Sequence, residues 1–449
     1  MRDMGRITFR LFAVISLLAV LLSPAAARTR PRYGGTLRVE TRSDPLKVDG
    51  IAHKLLFDNL FVVDAGWHLI PSLAVNWSSE SANHRWEFHL RPGVRFHDGS
   101  PLTAEAVAMS LSQSCGSCGW HVRAVDDAVI ITSESPMPNL PVDLARGEYA
   151  ITRKDEAGNP DGTGTFRFAA NENGTLFLRA TDDSWQGRPF IDAIEIYGNR
   201  PIRAQWLDFT VGKADIVEVP PELLRSAQQE HMPVTEPQMP TDLLALTVSD
   251  QRLSDQHLRQ SIALAVDRMA LFNVIFQKQG EVTGSLLPSD LTAYSFLFPT
   301  AANLQRAREL RGGQSPSLRL GADTSNAVLQ LASERLALNL RDAGWNVQVV
   351  SQAANPRTDL TLLVAHLEPA QVGAALRQMA GKFGSATSFD PGGDPASSYR
   401  AERSFLQSHT VIPLLYLPRV FGVSARVHNL ELAPDGTPEL ASASLEDAK

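Results

Sequence analysis

The chain has 449 residues, of which 43% are hydrophobic and 20% charged, and its formal net charge is −7. This length exceeds what one ordinary hydrophobic core organises, so we expect two or three lobes that are globular throughout. No Lys/Arg-rich block follows the first residues, which argues against nucleic acid or an anionic membrane surface as a partner.

The N-terminus has the composition of a secretory signal peptide. Three arginines within the first ten residues precede the apolar run Leu11–Leu22, and Ala25–Ala27 supplies small residues for cleavage. The apolar run is too short to span a bilayer comfortably. We therefore predict a signal peptide over residues 1–27, no lipid anchor because no Cys lies beside the cleavage region, and a mature protein in the periplasm.

The most informative stretch of the mature chain runs from Trp86 to Ser110. Apolar and polar residues alternate from Trp86 to Leu90, which predicts a half-buried strand, and a Pro-Gly turn follows. The alternation resumes at Val94 and Phe96. Thr103 is then placed to cap a helix.

Cys115 and Cys118 are the two cysteines of the chain. In an oxidising compartment a small-loop disulfide is the ordinary interpretation. Two thiols and the nearby His121 fall short of a four-coordinate zinc set. A thiol-redox function stays open because the C-x-x-C spacing can activate a thiol, although the surrounding pattern is not thioredoxin-like.

A helix is predicted after the cap residue Asp255, because Leu258, Ile262, Val266 and Met269 fall on one helical face. Further on, the segment Leu318–Val349 has the pattern of a strand, an amphipathic helix and a second strand. Such a βαβ unit places parallel strands in this part of the chain.

No pattern in the sequence demands catalysis. We find no nucleophile elbow with a Ser/His/Asp arrangement, no metal-ligand set and no dinucleotide fingerprint. The glycine-rich segment Gly162–Phe168 lacks the ending and spacing of a P-loop, so it is interpreted as a turn into a strand. We therefore expect a protein that is not an enzyme and that has no cofactor and no metal.

Several motifs together resemble the family 5 extracellular solute-binding proteins, the oligopeptide, dipeptide and nickel receptors of ABC importers. In chain order these motifs are Leu69–Trp77, Trp86–Ser110, Gly162–Phe168, Trp185–Pro189, Gly212–Ile216, Arg259–Arg268 and Ile412–Tyr416. The resemblance covers nearly the whole mature chain.

The resemblance implies an α/β, two-lobe periplasmic-binding-protein fold of type II, in the large cluster with an extra subdomain, with mixed sheets and a ligand cleft between the lobes. It implies the following division after the signal peptide: a lobe I core from residues 28–50, 160–237 and 418–449, an extra subdomain from residues 51–159, and lobe II from residues 238–417.

By the same resemblance, the loop after the first strand borders the cleft, which makes Glu40, Thr41 and Arg42 candidate ligand-binding residues. His366 and Glu368 are the candidates from lobe II. Here the chain departs from the family, whose members usually have a Trp and an aspartate-rich loop that fixes a peptide's α-amino group. Glu368 either replaces that carboxylate or the anchor has been lost.

The resulting hypothesis is a monomeric periplasmic receptor that captures a small solute, most simply a short peptide, and delivers it to ABC permease subunits in the inner membrane. One alternative keeps the role but changes the ligand to a nickel chelate, a sugar or an opine-like compound. Another is an exported thiol-redox or chaperone-like protein that acts through Cys115 and Cys118.

Overall fold

The computed structural model describes residues 31–446 except for 49, 65, 81, 117, 230–231, 238, 250, 293, 315, 355–356, 369, 385–390 and 392–393. The predicted signal peptide, residues 1–27, lies outside the described residues. No helix of the described part is both long and apolar enough to cross a membrane.

The described strands are, in chain order, β1 Thr36–Glu40, β2 Phe61–Val63, β3 Leu69–Pro71, β4 Ala74–Ser79, β5 Arg85–Leu90, β6 Trp120–Val125, β7 Ala128–Ser133, β8 Arg153–Lys154, β9 Pro160–Asp161, β10 Phe166–Glu172, β11 Thr175–Ala180, β12 Ala193–Tyr197, β13 Ile216–Glu218, β14 Val234–Thr235, β15 Asp242–Val248, β16 Glu281–Val282, β17 Ser317–Ala322, β18 Asn346–Ser351, β19 Leu360–His366, β20 Val411–Leu417, β21 Phe421–Val423, β22 Val427–His428, β23 Glu431–Leu432, β24 Pro438–Glu439 and β25 Ser444–Leu445.

The described α-helices are α1 Ile51–Leu56, α2 Ala104–Cys115, α3 Leu140–Asp143, α4 Ile202–Thr210, α5 Pro221–Gln229, α6 Gln256–Ala265, α7 Arg268–Ala270, α8 Ser289–Thr292, α9 Leu304–Arg311, α10 Ala327–Asp342, α11 Val372–Lys382 and α12 Pro395–Leu406. Two 3₁₀ turns, Gly147–Tyr149 and Ser295–Leu297, and a π-helical turn, Leu271–Ile275, accompany them.

Two large mixed sheets organise these elements. The first sheet has the strand order β10-β11-β12-β1-β13-β21-β14, and the second has the order β16-β20-β15-β19-β17-β18. β1 runs parallel to β12 and β13 in the first sheet, and β17 runs parallel to β18 and β19 in the second. The predicted βαβ unit is therefore present as β17, α10 and β18.

The second sheet is covered on both faces. Leu244 and Leu246 of β15 pack in one apolar cluster, with the helices α6 and α10, whereas Leu243 and Ala245 pack in another, with α11 and α12. Successive side chains of a strand point to opposite faces, so one strand serves both cores. The first sheet has a core of its own around Leu37, a residue of β1.

A third, smaller sheet has the order β4-β5-β7-β6 and packs with α2 around its own apolar cluster. We call this sheet, with the hairpin β2–β3 and the residues just before it, α2 and α3, the subdomain, because Leu60 and Phe61 belong to the same cluster. As predicted, Trp86 to Leu90 belong to a strand, and the Thr103 hydroxyl accepts a hydrogen bond from Ala106 N at the start of α2.

The alternation at Val94 and Phe96 corresponds to a single antiparallel bridge, between Arg95 and Pro101, and not to a full strand. Both apolar side chains are buried, and the hydrogen bonds from Phe96 N to Ser100 O and from Leu102 N to Val94 O flank the bridge. Period two alone predicts which side chains are buried here, but not how far the strand pairing extends.

The predicted helix after Asp255 is correct at its start and wrong at its end. The Asp255 carboxylate accepts a hydrogen bond from His257 N, but α6 ends at Ala265 and Val266 is extended. Asp267 caps the separate helix α7, and Met269 is 53% exposed. Met269 therefore does not belong to the buried face that the periodicity predicted.

Candidate ligand-binding site

The carboxyl ends of the parallel strands define the candidate site. In the first sheet, β1 and β13 end at Glu40 and Glu218, and in the second sheet β19 ends at His366, opposite Asp242 of β15. Open α/β sheets bind ligands at such edges.

The two edges lie close to each other because the chain crosses between the sheets there. β20 ends at Leu417 beside Asp242, and β21 begins at Phe421 beside Glu218. Four Cα–Cα steps span at most about 15 Å. The segment from β14 to β15 makes the second crossing, so the space beside these two segments is bordered by both sheets.

On the first-sheet side, Glu40 is 4% exposed and forms an ion pair with Arg200, at 3.4 Å between Oε2 and Nε. Arg200 also pairs with Asp208. Burial raises the pKa of Glu40, and the Arg200 charge opposes that rise. The Thr41 hydroxyl donates to Ser43 O at 2.8 Å.

Arg42, the third predicted residue of this edge, is held by Glu218. Its Nε and its backbone N both donate to Glu218 Oε2, at 3.0 Å and 3.1 Å. The Arg42 side chain is 49% exposed, so its guanidinium is accessible to solvent while it makes this pair.

On the second-sheet side, His366 Nδ1 lies 2.7 Å from Asp242 Oδ1, and Arg419 Nε lies 3.3 Å from Asp242 Oδ2. Burial alone would raise the pKa of Asp242. The hydrogen bond with His366 and the charge of Arg419 outweigh burial and hold that pKa below its ordinary value.

Glu368 also has partners in its own lobe. Its Oε1 lies 3.5 Å from Lys382 Nζ, and its backbone N donates to Gln378 Oε1 at 3.2 Å. Lys382 donates in addition to the His366 carbonyl. The structure thus brings His366 and Glu368 together at one end of β19.

Sequence reasoning missed an ion pair at the junction of the sheets, between Lys54 of α1 and Asp435 of the hairpin β23–β24. Thr241 Oγ1, next to Asp242, donates to the Asp435 carbonyl at 3.1 Å. Burial opposes ionisation of Asp435, but Lys54 and His366 nearby hold its pKa far below the ordinary value. No local signal identifies this pair, because its members are 381 residues apart.

Cys115 and Cys118 form a disulfide at the C-terminal end of α2. The negative end of the helix dipole disfavours a thiolate, whereas reactive cysteines are favoured at helix N-termini. Within the described residues, no group of three or more His, Cys, Asp or Glu side chains is arranged to hold a metal ion.

Comparison with known proteins agrees with this architecture. The sequence profile of "Bacterial extracellular solute-binding proteins, family 5 Middle" matches residues 68–354, more than half of the chain. The "Probable di/tripeptide-binding protein 5" of Pseudomonas aeruginosa is 26% identical over 411 residues, which cover 76% of each protein.

A Bacillus subtilis relative, the "Uncharacterized protein YhjP", is 30% identical over 162 residues, and the match spans 33% of this chain and only 28% of that protein. Among solved structures, NikA from Staphylococcus aureus in complex with Ni(L-His)2 superposes with a TM-score of 0.80 at 16% identity, covering 92% of this chain and 100% of that chain.

The NikA superposition shows the fold, so the predicted two-lobe periplasmic-binding-protein architecture is confirmed. The resemblance found in the sequence is confirmed as well. That family consists of extracellular or periplasmic transport proteins. The chain therefore belongs to the bacterial extracellular solute-binding proteins of family 5, which serve ABC importers.

Proposed function

We propose that the mature protein is a periplasmic receptor that captures a short peptide between its two lobes and delivers it to ABC permease subunits in the inner membrane. The observation that carries this proposal is the meeting of two carboxyl strand edges, each with charged residues of both signs, beside the two crossing segments. The similarity to a di/tripeptide-binding protein supports a peptide as the ligand.

The residues at the two strand edges are the proposed ligand contacts. In this proposal Glu40, Thr41 and Arg42 line one wall, and His366 and Glu368 line the other. A short peptide has one positive and one negative end, and charge-assisted hydrogen bonds to these ends are the strong polar contacts available. Each end would replace one partner of an existing ion pair, such as the Arg42–Glu218 pair.

Capture and delivery require two states of the protein. The lobes are joined by short crossing segments, which is the arrangement of hinge closure around a ligand. A ligand shifts this equilibrium only if it binds the closed state better than the open state. The permease would then distinguish the loaded receptor by its closed surface. The proposal includes a monomeric protein and the division of the chain into a lobe I core, an extra subdomain and lobe II with the predicted boundaries.

The second candidate is the same receptor role with a nickel chelate, a sugar or an opine-like ligand. The observation in its favour is that Leu367 and Glu368 stand where the family usually has an aspartate-rich loop, and that Glu368 is already beside Lys382. The superposed NikA structure contains a nickel complex of histidine. The position of the disulfide gives no support to the thiol-redox alternative, and we propose no enzymatic activity.

Thermal unfolding tests the ligand class. The mature protein is heated with di- to pentapeptides, nickel–histidine and sugars in separate samples, because a ligand that binds only the folded state stabilises it by about 2.7 kcal/mol at a hundredfold excess over Kd. We expect peptides to raise the Tm. No rise with any peptide, together with a rise for another class, would contradict the peptide assignment and favour the second candidate.

A further inference from the structure

The short helix α3 contacts two different cores. Leu140 and Leu144 are fully buried in the apolar cluster of the subdomain, whereas Val142 is 8% exposed and belongs to the cluster of the second sheet, with Leu367. Residues four apart lie on one side of a helical turn, and the residue between them lies on the other. One turn of helix therefore joins the subdomain to lobe II.

A second apolar contact lies beside it, in the loop between β2 and β3. Trp67 packs against the second-sheet cluster, and Leu69 packs against both that cluster and the cluster of the subdomain. The Asp64 carboxylate fixes this loop by accepting hydrogen bonds from Gly66 N and His68 N, at 2.9 Å and 2.8 Å.

Charges of opposite sign accompany these apolar contacts. Burial raises the pKa of Asp143, and Arg146 and Arg377 of α11 oppose the rise. Burial lowers the pKa of Arg146, but surrounding negative groups, which include Glu368, raise it overall. Arg146 forms its ion pair within its own segment, with Glu148 Oε1 at 2.6 Å, and Glu368 forms its ion pair within lobe II, with Lys382. The apolar contacts therefore carry the junction.

The α3 segment is anchored on the subdomain side. Asn59 Nδ2 donates to the carbonyl of Leu144 at 3.0 Å and to the carbonyl of Arg146 at 2.7 Å. Together with the buried Leu140, these bonds fix the segment to the subdomain. When the lobes separate, the contacts of Val142 with lobe II are therefore the ones that break.

We propose that Val142, with Trp67 and Leu69 beside it, forms a closing contact that holds the subdomain against lobe II. The inference rests on the proposed function in one respect, since it takes the lobes to separate and rejoin. The contact acts without any ligand, so it is distinct from the ligand contacts proposed above.

The test measures the distance between the lobes in the ligand-free protein. Nitroxide labels are placed at Met109→Cys in α2 and Leu338→Cys in α10, which are 63% and 49% exposed. The native cysteines are in the disulfide and do not take a label. Pulsed electron paramagnetic resonance then gives the populations of joined and separated lobes.

Val142→Ser should raise the ratio of separated to joined lobes about tenfold, since burial of a Val side chain is worth at least that factor. Val142→Ala, a milder truncation that keeps the position apolar, should raise it in the same direction by several-fold, because it removes buried methyl groups. The matched controls are Val125→Ser and Val125→Ala, at a 40% exposed valine of the same subdomain. Both controls should leave the distances as in the wild type.

An unchanged distance distribution in Val142→Ser, or an equal change in Val125→Ser, would overturn the proposal. If Val142→Ser does not fold, the Val142→Ala variant decides, because it introduces no polar group into the apolar cluster, and an unchanged distribution there would also overturn the proposal. A peptide panel that leaves the wild-type distances unaltered would count against the proposed ligand, which is a separate result.

Discussion

The pKa of an individual carboxylate in this protein is set by its burial and by a few hydrogen-bond donors. Glu402 of α12 is fully buried, and its Oε1 accepts hydrogen bonds from Ser285 Oγ at 2.7 Å and from Leu286 N. Burial raises the pKa of Glu402, and these donors only partly oppose it. The fold therefore favours the protonated form of this group more than the unfolded chain does.

The free energy of unfolding should consequently change with pH in a direction that Glu402 determines. Because its folded pKa is raised, its contribution is fully present below the unfolded value of 4.5 and is lost as pH rises through the folded pKa. Glu402→Gln keeps the shape and removes the titration. Urea unfolding from pH 4.5 to 8 should show wild-type stability falling relative to the variant, by at most about 1.4 kcal/mol per pH unit.

Glu334→Gln, at an exposed position of α10, is the matched control and should show the same pH dependence as the wild type. If Glu402→Gln and the wild type follow parallel curves, Glu402 does not titrate differently in the folded state.

The Lys54–Asp435 pair gives a prediction of the opposite sign. The pKa of Asp435 is lowered in the folded protein, so its contribution to stability is present above the unfolded value and is lost as pH falls. Lys54→Met leaves a buried carboxylate without this partner, which should cost about 1–3 kcal/mol at pH 7. The loss should be smaller at low pH.

A double-mutant cycle with Asp435→Asn checks this pairing by urea unfolding. The amide oxygen introduced by Asp435→Asn would retain the hydrogen bond from Thr437 N, which the carboxylate now accepts at 2.9 Å. The double variant should lose less stability than the sum of the two single variants. Strict additivity would mean that the two side chains do not interact.

At the scale of elements, features that nearby residues determine could be predicted from the sequence, and features that distant residues determine could not. The caps at Thr103 and Asp255 depend on residues within three positions, and sequence reasoning found both. The end of α6 depends on distant partners: Arg268 Nε donates to the Pro413 carbonyl and Asp267 N donates to Asn339 Oδ1. Periodicity contains no information about those contacts.

The disulfide at the end of α2 leads to an element-scale prediction. It closes a loop of sequence separation 3, so it removes little entropy from the unfolded chain, and the Cys115→Ser/Cys118→Ser variant should lose at most about 2 kcal/mol of stability. Ligand-induced shifts in Tm should persist in that variant. Loss of the function in cells with intact folding and ligand binding would instead favour the thiol-redox alternative.

The candidate site shows the same limit of sequence reasoning. The motifs placed Glu40 and His366 at the ends of strands and Arg42 in the loop after the first strand, and the structure has these residues there. Their partners Arg200, Glu218 and Asp242 are set by the order and register of the strands, which bring residues together across 124 to 176 positions. Whether the five predicted residues contact a ligand stays a prediction.

At the scale of the whole molecule, the protein combines two large sheets, two crossing segments and a subdomain that contacts lobe II. The two carboxyl edges supply charges for a ligand, and the closing contact supplies ligand-free attraction between the subdomain and lobe II. A weak closing contact and a ligand that binds both edges would together decide how often the receptor is closed.

The central claim is that a short peptide binds between these edges, and isothermal titration calorimetry of the mature protein with di- and tripeptides tests it most directly. We expect binding of one peptide per chain with a negative heat-capacity change, because closure buries apolar surface. Arg42→Gln should weaken binding about tenfold, as for loss of one charge-assisted hydrogen bond, whereas Arg123→Gln, at an exposed position of β6, should not. Absence of binding by every short peptide, or equal affinity of Arg42→Gln and the wild type, would contradict the claim.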